Sequence, residues 1–119
     1  MTLVDTSVWI DHFRNTNAKL VELLQNFEVL IHPMVLGEIA CGNLQNRDEL
    51  LTLLGQLPVA EEAAQSEIFT FIENNRLYGK GLGYVDIALL VSALISRVEL
   101  FTLDNRLQKA WEKLRKKMV

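Results

Sequence analysis

The chain has 119 residues, enough for one domain that buries a core without disulfide or metal staples. Half of the residues are hydrophobic and 23% are charged, which excludes a disordered or fibrous chain. The net charge of −3 excludes a uniformly basic nucleic-acid binder, although six of the twelve Lys and Arg residues fall between Arg106 and Lys117.

Met1 to Asp5 contains neither a basic stretch nor an apolar segment, so no secretory leader is expected. The most apolar stretch, Val85 to Ile95, is interrupted by Asp86 and falls well short of the roughly 20 residues of a membrane span. The single cysteine, Cys41, cannot form an internal disulfide, which fits a reducing cytoplasm. Its neighbours Ile39, Ala40 and Gly42 make it a candidate small core residue.

Leu3-Val4 reads as a short buried first strand, and Thr6 or Ser7 can cap a helix carrying Val8, Trp9 and Ile10. Leu20, Leu23, Leu24 and Phe27 fit one face of a second helix. Val29 to Ile31 is a second strand, stopped by His32-Pro33, with Pro33 well placed at the first position of the next helix. Gly42-Asn43 suits the end of that helix.

A short helix over Asp48–Leu54 is closed by Gly55, and Leu57-Pro58-Val59 forms a weak third strand whose proline suggests an edge or a strand start. A longer helix is predicted from Glu61 to about Arg76, with Ala64, Ile68, Phe71 and Ile72 facing the core. The glycine-rich segment Leu77–Gly83 must be a loop. A buried helix over Val85–Ile95, a strand over Glu99–Thr102 and a last helix from Asn105 to about Lys117 complete the chain. Strands alternating with helices predict one α/β domain over residues 1–119, with a central, mostly parallel sheet of four short strands flanked by helices.

Four acids stand out on this framework. Asp5 and Asp104 each follow a predicted strand, and in a parallel sheet the strand C-termini share one edge where ligands bind. A reversal of strand order between these two strands would set them side by side. Glu38 is placed on the inward face of its helix with Val35 and Ile39, and Gly37 beside it would permit a close backbone approach. Asp86 shares a face with Leu89, Leu90 and Ala93 near a helix start, where the helix dipole favours an anion. Singly, Asp5 and Asp104 would serve as helix caps, Asp86 as a first-turn acid and Glu38 as a surface charge. Together they would repel one another unless a divalent cation neutralised them, and a hard cation such as Mg²⁺, with Mn²⁺ substituting, suits an all-oxygen set that handles phosphates.

Leu3-Val4-Asp5-Thr6-Ser7-Val8-Trp9-Ile10 resembles the opening of PIN-domain ribonucleases, and His32-Pro33-Met34-Val35-Leu36-Gly37-Glu38-Ile39 resembles their glutamate-bearing second motif. Gly83-Tyr84-Val85-Asp86-Ile87-Ala88 and Leu100-Phe101-Thr102-Leu103-Asp104 resemble the third and fourth. The resemblance runs from about Leu3 to Leu107, and the small size is most like that of VapC-type toxins of toxin–antitoxin pairs. It implies a PIN-like fold and hydrolysis of RNA phosphodiester bonds, with Asp5, Glu38, Asp86 and Asp104 as the metal-binding and catalytic acids. It implies that the Thr6 and Thr102 hydroxyls support the acids, and that a small antitoxin occludes the pocket. Many members carry another acid where this chain has Asn105-Arg106, which leaves one ion or two open. The family's terminal strand, which would make a fifth, has no clear counterpart in Lys116-Lys117-Met118-Val119.

Several residues outside the acids invite functional readings. Arg106, Lys109 and Lys113 form either a solvated helix face or a patch that steers RNA toward the acids. His12 and His32 are expected to pack or cap rather than catalyse, and Gly79-Lys80-Gly81-Leu82-Gly83 lacks the lysine–hydroxyl pair of a phosphate-binding loop. Trp9 and Trp111 are expected in the core. The helix over Val85–Ile95, apolar nearly all round, must be central or at a subunit interface, and a homodimer is expected on that ground. The alternatives to a nuclease are a non-catalytic interaction module and a receiver-type signalling domain, which also gathers acids at strand ends. A receiver would pair acids near its start and place a lysine after its last strand, and neither is evident.

Overall fold

A computed structural model of the chain describes residues 1–117. The elements run β1 (Thr2–Val4), α1 (Thr6–Asn15), α2 (Ala18–Gln25), β2 (Val29–Leu30), α3 (Pro33–Ala40), α4 (Arg47–Leu54), α5 (Gln65–Asn75), α6 (Tyr84–Ser96), β3 (Glu99–Phe101) and α7 (Asn105–Lys117). The sheet is parallel throughout, in the order β2-β1-β3. After β1 the chain moves to one side to form β2 and returns on the other side of β1 to form β3. The strand order therefore reverses between β1 and β3, which is where an open α/β sheet opens a crevice.

The α/β class and the parallel sheet match expectation, whereas the strand count does not. Among the described residues the sheet has three strands, and Leu57-Pro58-Val59 contributes only a single parallel bridge between Ile31 and Val59. Ile31 donates its N–H to Pro58 O at 2.9 Å and accepts from Ala60 N at 3.0 Å. Pro58 has no N–H with which to extend that pairing. Lys116 and Lys117 belong to α7, and the rest of the proposed fifth strand, Met118 and Val119, lies outside the described residues.

α5 begins at Gln65 rather than Glu61. The Glu61 N–H donates to Ser96 Oγ at 3.0 Å, and its carbonyl accepts from Ser92 Oγ, so this segment is laced in extended form across α6. The helix starts only after that lacing ends, with Glu67 turning back to accept from the Ala64 N–H at 2.9 Å. α2 stops at Gln25, and Phe27, at φ 56°, points into solvent instead of joining the core face. Cys41 is exposed, because it caps α3 where the chain leaves the core.

The core lies on both faces of the sheet. Leu3 and Val4 of β1 are fully buried, as befits a central parallel strand covered on both sides. α6 buries seven consecutive residues from Ile87 to Ala93, which makes it the central helix of this one chain. Its apolar circumference is thereby accounted for without a second subunit. Trp9 and Trp111 are also buried. Among the described residues no helix is long and apolar enough to cross a membrane.

Candidate active site

β1 ends in Asp5 because a residue that leaves a strand and opens a helix needs a side-chain acceptor for the helix's free N–H groups. Asp5 is the N-cap of α1, and its Oδ1 accepts from the Thr6 N–H at 2.8 Å. Its Oδ2 accepts from the Ser7 and Thr102 hydroxyls, each at 2.7 Å. The Asp5 N–H donates to Phe101 O at 2.9 Å, so the β1–β3 pairing continues up to the carboxylate. Asp5 is only 6% exposed yet accepts three hydrogen bonds, as a buried anion must.

The chain beyond β3 wraps around the same hydroxyls. Leu103 donates its N–H to Ser7 Oγ and Asp104 donates its own to Thr102 Oγ1, both at 3.0 Å. Ser7 Oγ and Thr102 Oγ1 are themselves 3.3 Å apart. Asp104 then turns its Oδ1 onto the N–H groups of Arg106 and Leu107 at 2.8 and 3.1 Å, capping α7. In the sequence Ser7 reads only as a helix-cap candidate, whereas Asp5 takes the cap and Ser7 serves the acid; its place two residues after the strand-ending acid was a usable signal.

Glu38 reaches the group from α3. Val35 and Ile39 of that helix are fully buried, whereas Glu38 is exposed at the rim rather than turned inward as the helix pattern suggested. Its Oε1 accepts from the Thr6 hydroxyl at 2.6 Å. A methyl group at Gly37 would meet nothing within 4 Å, so the expected close approach there does not occur. Asp86, half-buried in the first turn of α6, accepts from the Gly83 N–H at 2.8 Å through Oδ2.

Electrostatics tie the four together. The Asp86 carboxyl is pushed above the usual 3.8, first by burial and then by the negative charges of Asp5, Asp104 and Glu38, against the lowering effect of the Gly83 N–H. Among the described residues the ion pairs are Arg47–Asp48 and Arg115–Glu99, so none of the four acids has a cationic side chain as partner. Glu38 Oε2, Asp86 Oδ1 and Asp104 Oδ2 accept no hydrogen bond from the described residues. Among those residues no three Asp, Glu, His or Cys side chains form a ready-made ion cage. The arrangement is an acidic cluster with spare oxygens and unrelieved repulsion.

Thr6 and Thr102 both bond to members of the cluster, whereas Arg106, Lys109 and Lys113 are exposed along α7 and only the Arg106 backbone touches it. The histidines stand elsewhere. His12 Nδ1 accepts from the Asn17 N–H at 3.1 Å, and His32, buried, caps α3 by accepting from the Met34 N–H at 3.0 Å.

Comparison with known proteins shows the family and the fold. The family described as the PIN domain matches residues 2–113. Ribonuclease VapC32 of Mycobacterium tuberculosis, in two strains, is 45% identical over 111 residues, covering 92% of this chain and 90% of the relative. The crystal structure of PAE2754 from Pyrobaculum aerophilum superposes with a TM-score of 0.62 at 18% identity, over 98% of this chain and 88% of that one, a likeness of fold. The acids at the strand-order reversal and the match over nearly the whole length lead to one conclusion: the chain belongs to the PIN-domain family and is of the VapC type.

Proposed function

We propose that this protein is a metal-dependent endoribonuclease, the toxin of a toxin–antitoxin pair, acting in the cytoplasm and held in check by a small antitoxin protein. The observation that carries the reading is the gathering of Asp5, Glu38, Asp86 and Asp104 from four different elements with no cationic side chain to offset them. A set of hard oxygen donors that repel one another fits Mg²⁺ or Mn²⁺. The 45% identity to a ribonuclease supports RNA as the substrate.

Asp5, Asp86 and Asp104, with Glu38 at the rim, are the residues that would hold such an ion. When bound, it supplies Lewis-acid chemistry, polarising the phosphodiester and making water a stronger nucleophile near neutral pH. Asp5 is held in one orientation by its three donors, so it fixes the position of the group. Glu38 is anchored through Oε1 by Thr6, which leaves Oε2 to orient the attacking water and take its proton. Asp86 and Asp104 each keep one oxygen free of hydrogen bonds from the described residues, while the other is held by backbone N–H groups.

Cleavage of structured cellular RNA by the purified, partner-free chain tests the proposal, with Mg²⁺, with EDTA, and with Asp5→Asn alongside. Asn retains the helix cap but lacks the charge. Metal-dependent cleavage abolished in Asp5→Asn is the expected result. Undiminished cleavage by the variant would refute the site. A folded wild type that neither cuts RNA nor binds Mn²⁺ would make the chain an interaction module. A homodimer retains its own test, sedimentation mass, but α6 no longer argues for one.

A further inference from the structure

Between the Leu77–Gly83 loop and α7 lies a cavity of about 250 Å³ that the acid cluster does not use. Leu77 and Leu114 are buried at its floor, with Leu82 and Ala110 half-buried beside them. Lys80, Arg106, Lys109 and Lys113, all exposed, stand around it. Arg106, Lys109 and Lys113 recur at intervals of three and four, which puts them on one face of α7. Lys109 and Lys113 are thus like charges one turn apart, an arrangement that weakens a helix unless an anion lies between them. Among the described residues neither is ion-paired, whereas Arg115 on the same helix is held by Glu99 at 2.7 Å.

Hydrogen bonds tie both walls of the cavity to the acids. Arg106 donates its N–H to Asp104 Oδ1, and Gly83, next to Leu82, donates its own to Asp86 Oδ2, both at 2.8 Å. Gly81, at φ +76°, lets the loop lie against Arg106, since a methyl there would stand 2.8 Å from Arg106 Nη1. A phosphate rail needs no apolar floor, and an apolar ligand needs no ring of unpaired cations. A nucleotide has use for both.

We propose that this cavity seats one nucleotide of the RNA strand beside the cleaved bond, its base on the Leu77, Leu82, Ala110 and Leu114 floor and its flanking phosphates among Lys109, Lys113 and Arg106. The identity of the strand as RNA rests on the ribonuclease reading above. The volume lies just below the roughly 300–1,000 Å³ of drug-sized ligand sites, which suits a single base. The base must be unstacked to enter, so the occupant is a single-stranded segment.

The test is fluorescence anisotropy with a labelled single-stranded RNA of about ten nucleotides, in an Asp5→Asn background so that no cleavage intrudes. Lys109→Ala with Lys113→Ala, which relieves a repulsion and improves helix propensity, should leave the melting temperature unchanged or higher. It should weaken binding about tenfold and lower the slope of log Kd against log salt by about 1.4, at about 0.7 per phosphate contact. Leu82→Asn should weaken the full oligonucleotide severalfold and leave an abasic ribose–phosphate chain unaffected. An affinity within twofold of the parent for the lysine pair, equal loss of both ligands in Leu82→Asn, or no RNA binding by the parent would overturn the proposal. The first of these would turn the surface over to an acidic protein partner. Binding that behaves as expected in a chain whose wild type never cuts RNA would instead sink the ribonuclease reading alone.

Discussion

The Thr102 hydroxyl, just past β3, donates to Asp5 Oδ2 at the end of β1 across 2.7 Å, and so joins the two strands between which the sheet order reverses. The same oxygen receives the Asp104 N–H at 3.0 Å. One hydroxyl therefore fixes an acid from the first motif against the segment that carries another, 97 residues from Asp5 to Thr102.

Thr102→Val keeps the shape and removes that bond. Hydrogen bonds to charged groups are worth about 1.5–3 kcal/mol, so urea unfolding should show a loss of about 2 kcal/mol. RNA cleavage should fall with it, because Asp5 is left with one fewer anchor. Thr102→Ser should recover most of both.

Glu38→Gln can retain an acceptor for Thr6 while removing the proton acceptor at Oε2. If that oxygen is the general base, single-turnover cleavage should fall by about 10²–10⁴-fold. The melting temperature should not drop, since Glu38 is exposed and no cation pairs with it among the described residues. A variant that cuts as fast as wild type would move the role to another acid.

Asp86 stands in the field of three like charges, so Asp86→Asn should raise the melting temperature in EDTA at neutral pH. In Mn²⁺ the order should reverse. A ligand at about 100 times its Kd adds about 2.7 kcal/mol to the native state, and the variant should forfeit much of that gain. Melting curves of the two proteins with and without Mn²⁺ check both halves. A wild type whose curve does not move in Mn²⁺ would contradict the metal assignment.

His32 sets a pH dependence away from the acids. Burial holds its pKa below the usual 6.5, opposed in part by the charge of Glu62, and its Nδ1 must stay unprotonated to accept from Met34. Between the folded value and 6.5 the unfolded chain binds more protons than the native one, so stability is full above 6.5 and declines as pH falls through that window. His32→Asn preserves a capping side chain and should remove this part of the decline in urea titrations taken from neutral to mildly acidic pH. An unchanged pH profile would place the titration elsewhere.

The sequence announced most of this through local chemistry. Asp5 and Asp104 were legible because an acid that ends an apolar run and opens a helix is both a cap and a resident of the strand-end edge. His32-Pro33 marked the start of α3 for the same local reason. What misled was also local. Leu57-Pro58-Val59 read as a strand because its side chains suit one, but Pro58 lacks the N–H that would extend the ladder. Glu61–Ala64 read as helix because nothing nearby reveals that Ser92 and Ser96 lie across from it.

By itself, then, the sequence determined the alternation of elements, the identities of the four acids and the basic face of α7, since each follows from residues a turn or two apart. Only the tertiary structure decided that β3 lies beside β1, that Ser7 and Thr102 share Asp5, and that Glu38 sits at the rim held by Thr6. It alone placed Leu77 and Leu82 opposite Ala110 and Leu114, making a cavity of what had been an amphipathic helix. The reason is physical: periodicity records which way a side chain faces on its own element, and partners more than 30 residues away, as Glu38 is from Thr6, are chosen by packing.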